Sequence, residues 1–156
     1  MEFINYFFAS VISFLGLLIG IILVKIAPEE QKLLGKKFSL LRKFFLLLIF
    51  IFMILYYLNN IFYSLTLIVY FIFLLFVEYK IVDSLKKSMI IYGIFGILFF
   101  LSSNNIGLFT VTSSLILLYG LPTASLIYKI KEKNHYKIMF YNIGFVVIAN
   151  MLFTIK

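Results

Sequence analysis

The chain has no cysteine, no tryptophan, one histidine and two prolines, and only 13% of its 156 residues are charged. Lack of cysteine excludes disulfides, thiol nucleophiles and thiolate metal sites. Lack of tryptophan leaves any aromatic belt at a membrane interface to the 11 tyrosines. With so little charge, a water-facing surface is hard to build. A soluble domain carries roughly 25% charged residues and about 45–50% apolar ones, whereas 64% of this chain is hydrophobic and its mean hydropathy is +1.14. A small soluble fold exposes too much of itself to hide that surface; a bilayer can accept it. The abundance of Ile, Phe, Lys, Asn and Tyr fits an AT-rich, prokaryotic genome. A cleavable signal is not expected. Met1-Glu2 is followed at once by an apolar run, with no basic start and no small-residue cleavage site.

What is present is long apolar runs. About 20 such residues cross a hydrocarbon core as a helix, and six spans are expected, at 3–24, 40–58, 61–77, 87–103, 106–128 and 138–155. The runs are continuous rather than alternating, which favours helices over the strands of a membrane barrel. The fold expected is all-α, a polytopic transmembrane bundle of one membrane domain. Two breaks, Asn59-Asn60 and Ser102-Ser103-Asn104-Asn105, are uncharged and suit tight turns. The other three, at 25–43, 78–86 and 129–137, are charged, and the two kinds alternate along the chain. The charged breaks and the helix ends beside them hold all but one of the 14 basic residues. The positive-inside rule therefore puts these loops in the cytoplasm and both termini outside a cell membrane.

In the first charged loop, Pro28 followed by Glu29 and Glu30 has the chemistry of a helix start, and Gly35 could end that helix. Leu34, Phe38, Leu41 and Phe45 then make an apolar stripe, so the segment is expected to lie along the inner membrane surface before turning into the second span. Lys36, Lys37, Arg42 and Lys43 are expected to meet anionic lipid headgroups. This explains the +8 net charge without nucleic acid, for which there is no motif. The segment Lys25-Ile26-Ala27-Pro28-Glu29-Glu30 with Gly35-Lys36-Lys37-Phe38 resembles the first cytoplasmic loop of small uncharacterised multi-pass membrane proteins from archaea. The resemblance implies a location and no mechanism, and no functional residue is carried over from it.

Chemistry-bearing residues are sparse. His135 stands alone in a basic loop, and neither a metal set nor a nucleophile with its base can be assembled, so no catalytic residue, metal or cofactor is expected. Asp83 with Lys87 and Lys129 with Glu132 have the spacing of surface ion pairs on a helix. Glu78, at the inner end of the third span, either lines a vestibule or is hydrated at the interface. The fifth span is the most polar. Thr110, Ser114, Gly120 and Pro122 lie on it, and with Glu78 they form a candidate path or kink. Pro122 removes the backbone donor to Leu118, and Ser114 or a neighbouring helix could satisfy that carbonyl. Equally, the hydroxyls could bond their own helix.

Small residues mark packing faces. Ala9, Ser13, Gly16 and Gly20 share one face of the first span, and Gly93 and Gly96 mark the fourth. These faces could join helices within the chain or build a homo- or hetero-oligomer. A similar triplet recurs at Val24-Lys25-Ile26, Tyr79-Lys80-Ile81 and Tyr128-Lys129-Ile130, which reads either as three tandem helix pairs or as ordinary interface chemistry. The function expected is that of a structural or accessory membrane subunit. The alternative is a small-solute transporter, channel or lipid-binding protein with a path along the fifth helix.

Overall fold

Polar residues at the breaks hold the first free amides of the helices that follow. Asn60 accepts from the Tyr63 amide, Asp83 from those of Leu85 (2.9 Å) and Lys86, and Asn105 from that of Leu108 (3.0 Å). Pro28, which needs no donor, opens a helix at its first position. In this computed structural model, which describes residues 2–128 and 135–155, the helices are α1 (Phe3–Ile26), α2 (Pro28–Tyr56), α3 (Ile61–Lys80), α4 (Ser84–Ser102), α5 (Ile106–Ile127), α6 (His135–Asn142) and α7 (Gly144–Ile155). The fold is all-α. Six helical stretches are long and apolar enough to cross a membrane, α6 and α7 together making the sixth. The chain runs up and down, so α1, α3 and α5 end where α2, α4 and α6 begin. Residues 129–134 of the expected basic loop 129–137, with the expected Lys129–Glu132 pair, lie outside the described residues.

Two expectations are corrected. Gly35 does not end a helix: α2 is continuous for 29 residues, about 43 Å at 1.5 Å per residue. A glycine costs a helix only about 1 kcal/mol relative to alanine, less than breaking the backbone ladder of a flanked helix. The sixth span, in turn, is not one helix. It is interrupted at Ile143, whose amide makes a long 3.4 Å bond to the Phe140 carbonyl. Gly144 opens the second half.

The core centres on α5, which packs against α1, α2 and α4, while α7 packs on α4 and α1. Tyr6, Leu17, Ile49, Met53, Phe95, Phe99, Ile116 and Phe145 are wholly buried. The middle is aromatic: Phe95 meets Tyr119 edge-on with ring centres 4.8 Å apart, and Phe99 meets Phe109 and Phe145 in the same way at 4.8 and 5.4 Å. Such edge-to-face pairs add about 0.5–1.5 kcal/mol each beyond their area. α3 packs only loosely, on α2 and α4, and its outer face, including Phe62, Leu65, Ile72 and Phe76, is exposed.

Candidate functional site

The small residues of α1 and α5 determine how closely the two helices approach. A methyl group at Gly16 would overlap the Leu117 carbonyl, one at Gly20 would lie 2.6 Å from the Leu121 oxygen, and one at Gly120 would lie 2.6 Å from the Gly16 carbonyl carbon. The packing face expected on the first span is thus occupied within the chain. Ala9 and Ser13 continue it, with the Ser13 hydroxyl donating to the Ala9 carbonyl at 2.9 Å. Gly96 does the same for α4 and α7, where a methyl group would lie 2.9 Å from the Phe145 oxygen; Gly93 is looser, 3.8 Å from Ile148.

This close crossing leaves space beside it. An apolar groove of about 390 Å³ runs between α1, α2 and α5 at the basic end of the bundle. Its walls include Leu34, Phe38, Leu41 and Phe45 of α2, the expected amphipathic stripe, facing Leu118, Leu121 and Pro122 of α5. The stripe therefore lines a crevice rather than lying flat along a surface. Polar groups gather at one end only. Gln31 donates from its amide nitrogen to the carbonyls of Ser125 (2.6 Å) and Tyr128 (2.7 Å), tying the start of α2 to the end of α5. Gln31 was missed by the sequence reading, although it sits three residues before Leu34 and extends the same stripe by one turn.

The expected fifth-helix path is not assembled. Thr110 and Ser114 are exposed, Gly120 is buried against α1, Pro122 lines the groove, and Glu78 lies elsewhere. The hydroxyls bond mostly to their own helix: Thr110 to Ile106, Ser113 to Thr110, Thr123 to Tyr119 and Ser125 to Leu121. α5 passes through Pro122 unbroken. Among the described residues no side chain donates to the Leu118 carbonyl that Pro122 leaves without its amide.

A second constellation lies between α2, α3 and α4. Glu78 receives a charge-assisted hydrogen bond from Arg42, and Lys87 approaches its other oxygen at 3.9 Å while donating to its backbone carbonyl at 2.8 Å. The side chains of Arg42 and Glu78 are only 5% and 10% exposed. Arg42 therefore turns inward, which does not fit its expected place at lipid headgroups; Lys36, Lys37 and Lys43 are exposed. Lys87 reaches Glu78 rather than Asp83, whose oxygen is taken by the α4 cap. Sequence spacing could not reveal the Arg42–Glu78 pair, because its members lie on different helices.

Further polar ties were hidden in the apolar runs. The Tyr6 hydroxyl donates to the Ala149 carbonyl at 3.1 Å, and Asn150 donates to the Ser10 hydroxyl at 3.0 Å, fastening α7 to α1. Asn142, fully buried at the helix break, donates to Ile138 at 2.7 Å. Two asparagines inside an apolar span were the available signal. At the opposite end, the Tyr57 hydroxyl donates to the Leu101 carbonyl at 2.8 Å. His135 lies against Tyr136, the rings tilted by 41° with centres 4.1 Å apart. Among the described residues no three His, Cys, Asp or Glu side chains gather as a metal group. No protein-family model matches the chain, and no curated protein or solved structure is significantly similar to it.

Proposed function

We propose that the chain is a multi-pass integral membrane protein that holds the acyl chain of a membrane lipid in the groove along its fifth helix. The observation that carries the reading is the groove's composition. Leu34, Phe38, Leu41, Phe45, Leu118 and Leu121 give it apolar walls, and its polar groups are confined to the end near Gln31 and Ser125. That is the polarity of an amphiphile, with its chain along the helices and its head at the interface. A polar solute would instead need polar groups spread along its path. Six membrane-length helices with an apolar outer surface support the membrane placement. The basic ends support a cytoplasmic inner face with both termini outside.

A structural or accessory role would need a free packing face. The faces expected for it on α1 and α4 are occupied by α5 and α7, so the lipid-binding reading is preferred. The test is native mass spectrometry of protein purified in mild detergent. Leu118→Trp, which fills the groove from a partly exposed position, should strip a bound lipid that Leu55→Trp, on the exposed side of α2, retains. Equal retention in the two variants would refute the reading. Orientation is tested by single cysteines: membrane-impermeant reagent added outside should label Asn60→Cys and not Lys36→Cys, and the reverse pattern would invert the topology.

A further inference from the structure

Arg42, Lys43 and Lys87 stand around a single carboxylate, Glu78, so the cluster has three positive groups and one negative. Two of the cations are nearly buried, and each is within electrostatic reach of Glu78. Glu78 can balance one. An unbalanced charge taken out of water is costly, and the cost falls if an anion is bound beside it. Two atoms of the cluster, Arg42 Nε and Glu78 Oε2, are buried without a hydrogen-bond partner.

The cluster adjoins a crevice. Between α2 and α3 a space of about 480 Å³ is lined by Lys43, Leu46, Leu47, Phe71, Leu75, Glu78 and Tyr79. Charged groups sit at its inner end, and everything further along is apolar. Phe50 and Phe71, with ring centres 5.1 Å apart, join the helices beyond it. The crevice opens on the outer face through Leu47 and Leu75, which are 42% and 48% exposed. From Tyr79 to Phe71 it follows about 12 Å of α3 at 1.5 Å per residue, enough for part of an acyl chain. Lys43 stands exposed at the rim.

We infer that the crevice between α2 and α3 is a site for an anionic phospholipid of the inner leaflet, its phosphate beside Lys43 at the rim and one acyl chain along Leu47, Phe71 and Leu75. It is separate from the groove on α5 and shares only the membrane placement with that reading. Charge excess selects an anionic head, and the apolar walls require a lipid rather than a free anion. Glu78 holds Arg42 and Lys87 in place and excludes a second anion.

The test uses the full chain in mixed micelles with dioleoylphosphatidylglycerol, dioleoylphosphatidylcholine or inorganic phosphate, reading bound lipid by native mass spectrometry and stability by thermal unfolding. Phosphatidylglycerol should be retained about tenfold better than phosphatidylcholine, in line with one to two surface cations acting on an anionic head. Lys43→Gln, at an exposed position, should weaken phosphatidylglycerol about fivefold and leave phosphatidylcholine unchanged. Leu75→Trp should remove the preference by filling the crevice. Leu118→Trp should leave it intact, whatever becomes of the α5 groove. Equal retention of the two lipids would overturn the inference. So would an unchanged preference in Lys43→Gln or Leu75→Trp, or stabilisation by inorganic phosphate equal to that by phosphatidylglycerol.

Discussion

Replacing Gly16 by alanine puts a methyl group where the backbone of α5 already lies. The new carbon would overlap the Leu117 carbonyl oxygen and sit 2.8 and 3.0 Å from the Leu117 carbonyl carbon and Cα. These are backbone atoms within a helix, so no rotamer change relieves them, and the two helices must separate locally. A gap of about 0.5–1 Å forfeits a quarter to a half of each dispersion contact along the seam, and forced overpacking costs about 1–3 kcal/mol. The upper end, about 3 kcal/mol, is expected because the obstacle is rigid. Gly120→Ala meets the same seam from the other side, with its methyl 2.6 Å from the Gly16 carbonyl carbon. Once the helices have parted for one methyl, the second should add little, so the double variant should fall well short of the sum. Gly35→Ala is the control. Nothing lies within 4 Å of its new carbon, and removing a mid-helix glycine should stabilise by about 0.5–1 kcal/mol. The assay is equilibrium unfolding in lipid–detergent micelles by titration with a denaturing detergent. Equal midpoints for Gly16→Ala and Gly35→Ala would refute the claim that this crossing organises the bundle, as would full additivity of Gly16→Ala with Gly120→Ala.

Glu78→Gln leaves Arg42 and Lys87 buried without a counter-charge and should destabilise by about 3–5 kcal/mol. Adding Arg42→Met should recover part of that loss in a double-mutant cycle on the same assay, and independent effects would show that the pair is not coupled. Tyr6→Phe deletes the bond to the Ala149 carbonyl and should cost about 1 kcal/mol, the usual scale of an interhelical hydrogen bond in a membrane; an unchanged unfolding midpoint would count against it. Pro122→Ala restores an amide that can bond the Leu118 carbonyl, so stability should hold within about 1 kcal/mol while the reshaped wall loses lipid by native mass spectrometry. Unchanged lipid retention would remove Pro122 from the groove's working parts.

Much of the candidate site could be read only in fragments. The stripe Leu34, Phe38, Leu41 and Phe45 was visible from its spacing, but its target was not, because spacing shows that residues share a face and not what the face meets. Arg42 shows the limit from the other side. Among Lys36, Lys37 and Lys43 it looks like one more interfacial cation, and only the approach of α3 brings Glu78 to it across 36 residues of chain. Asn142 and Asn150 were passed over because an apolar average hides single polar residues. The break at Ile143 shows neither a proline nor a charge.

The sequence by itself determined the number of membrane-length helices, the two uncharged turns at Asn59-Asn60 and at 102–105, and the end of the bundle that is basic. Each follows from quantities local to the chain: hydropathy summed over some 20 residues, asparagine and aspartate at helix starts, and charge between apolar runs. Tertiary structure alone decided which helices touch. Gly16 could equally have met another chain, and it meets α5 because Gly120 and Ala124 leave room there. The two crevices have a common origin: α2 packs on α5 but hardly on α1, which leaves a groove beside the α1–α5 crossing, and α3 meets α2 at Phe71 and Glu78 with open space between them. Such gaps are differences between surfaces distant in sequence, and no local property of the chain records them.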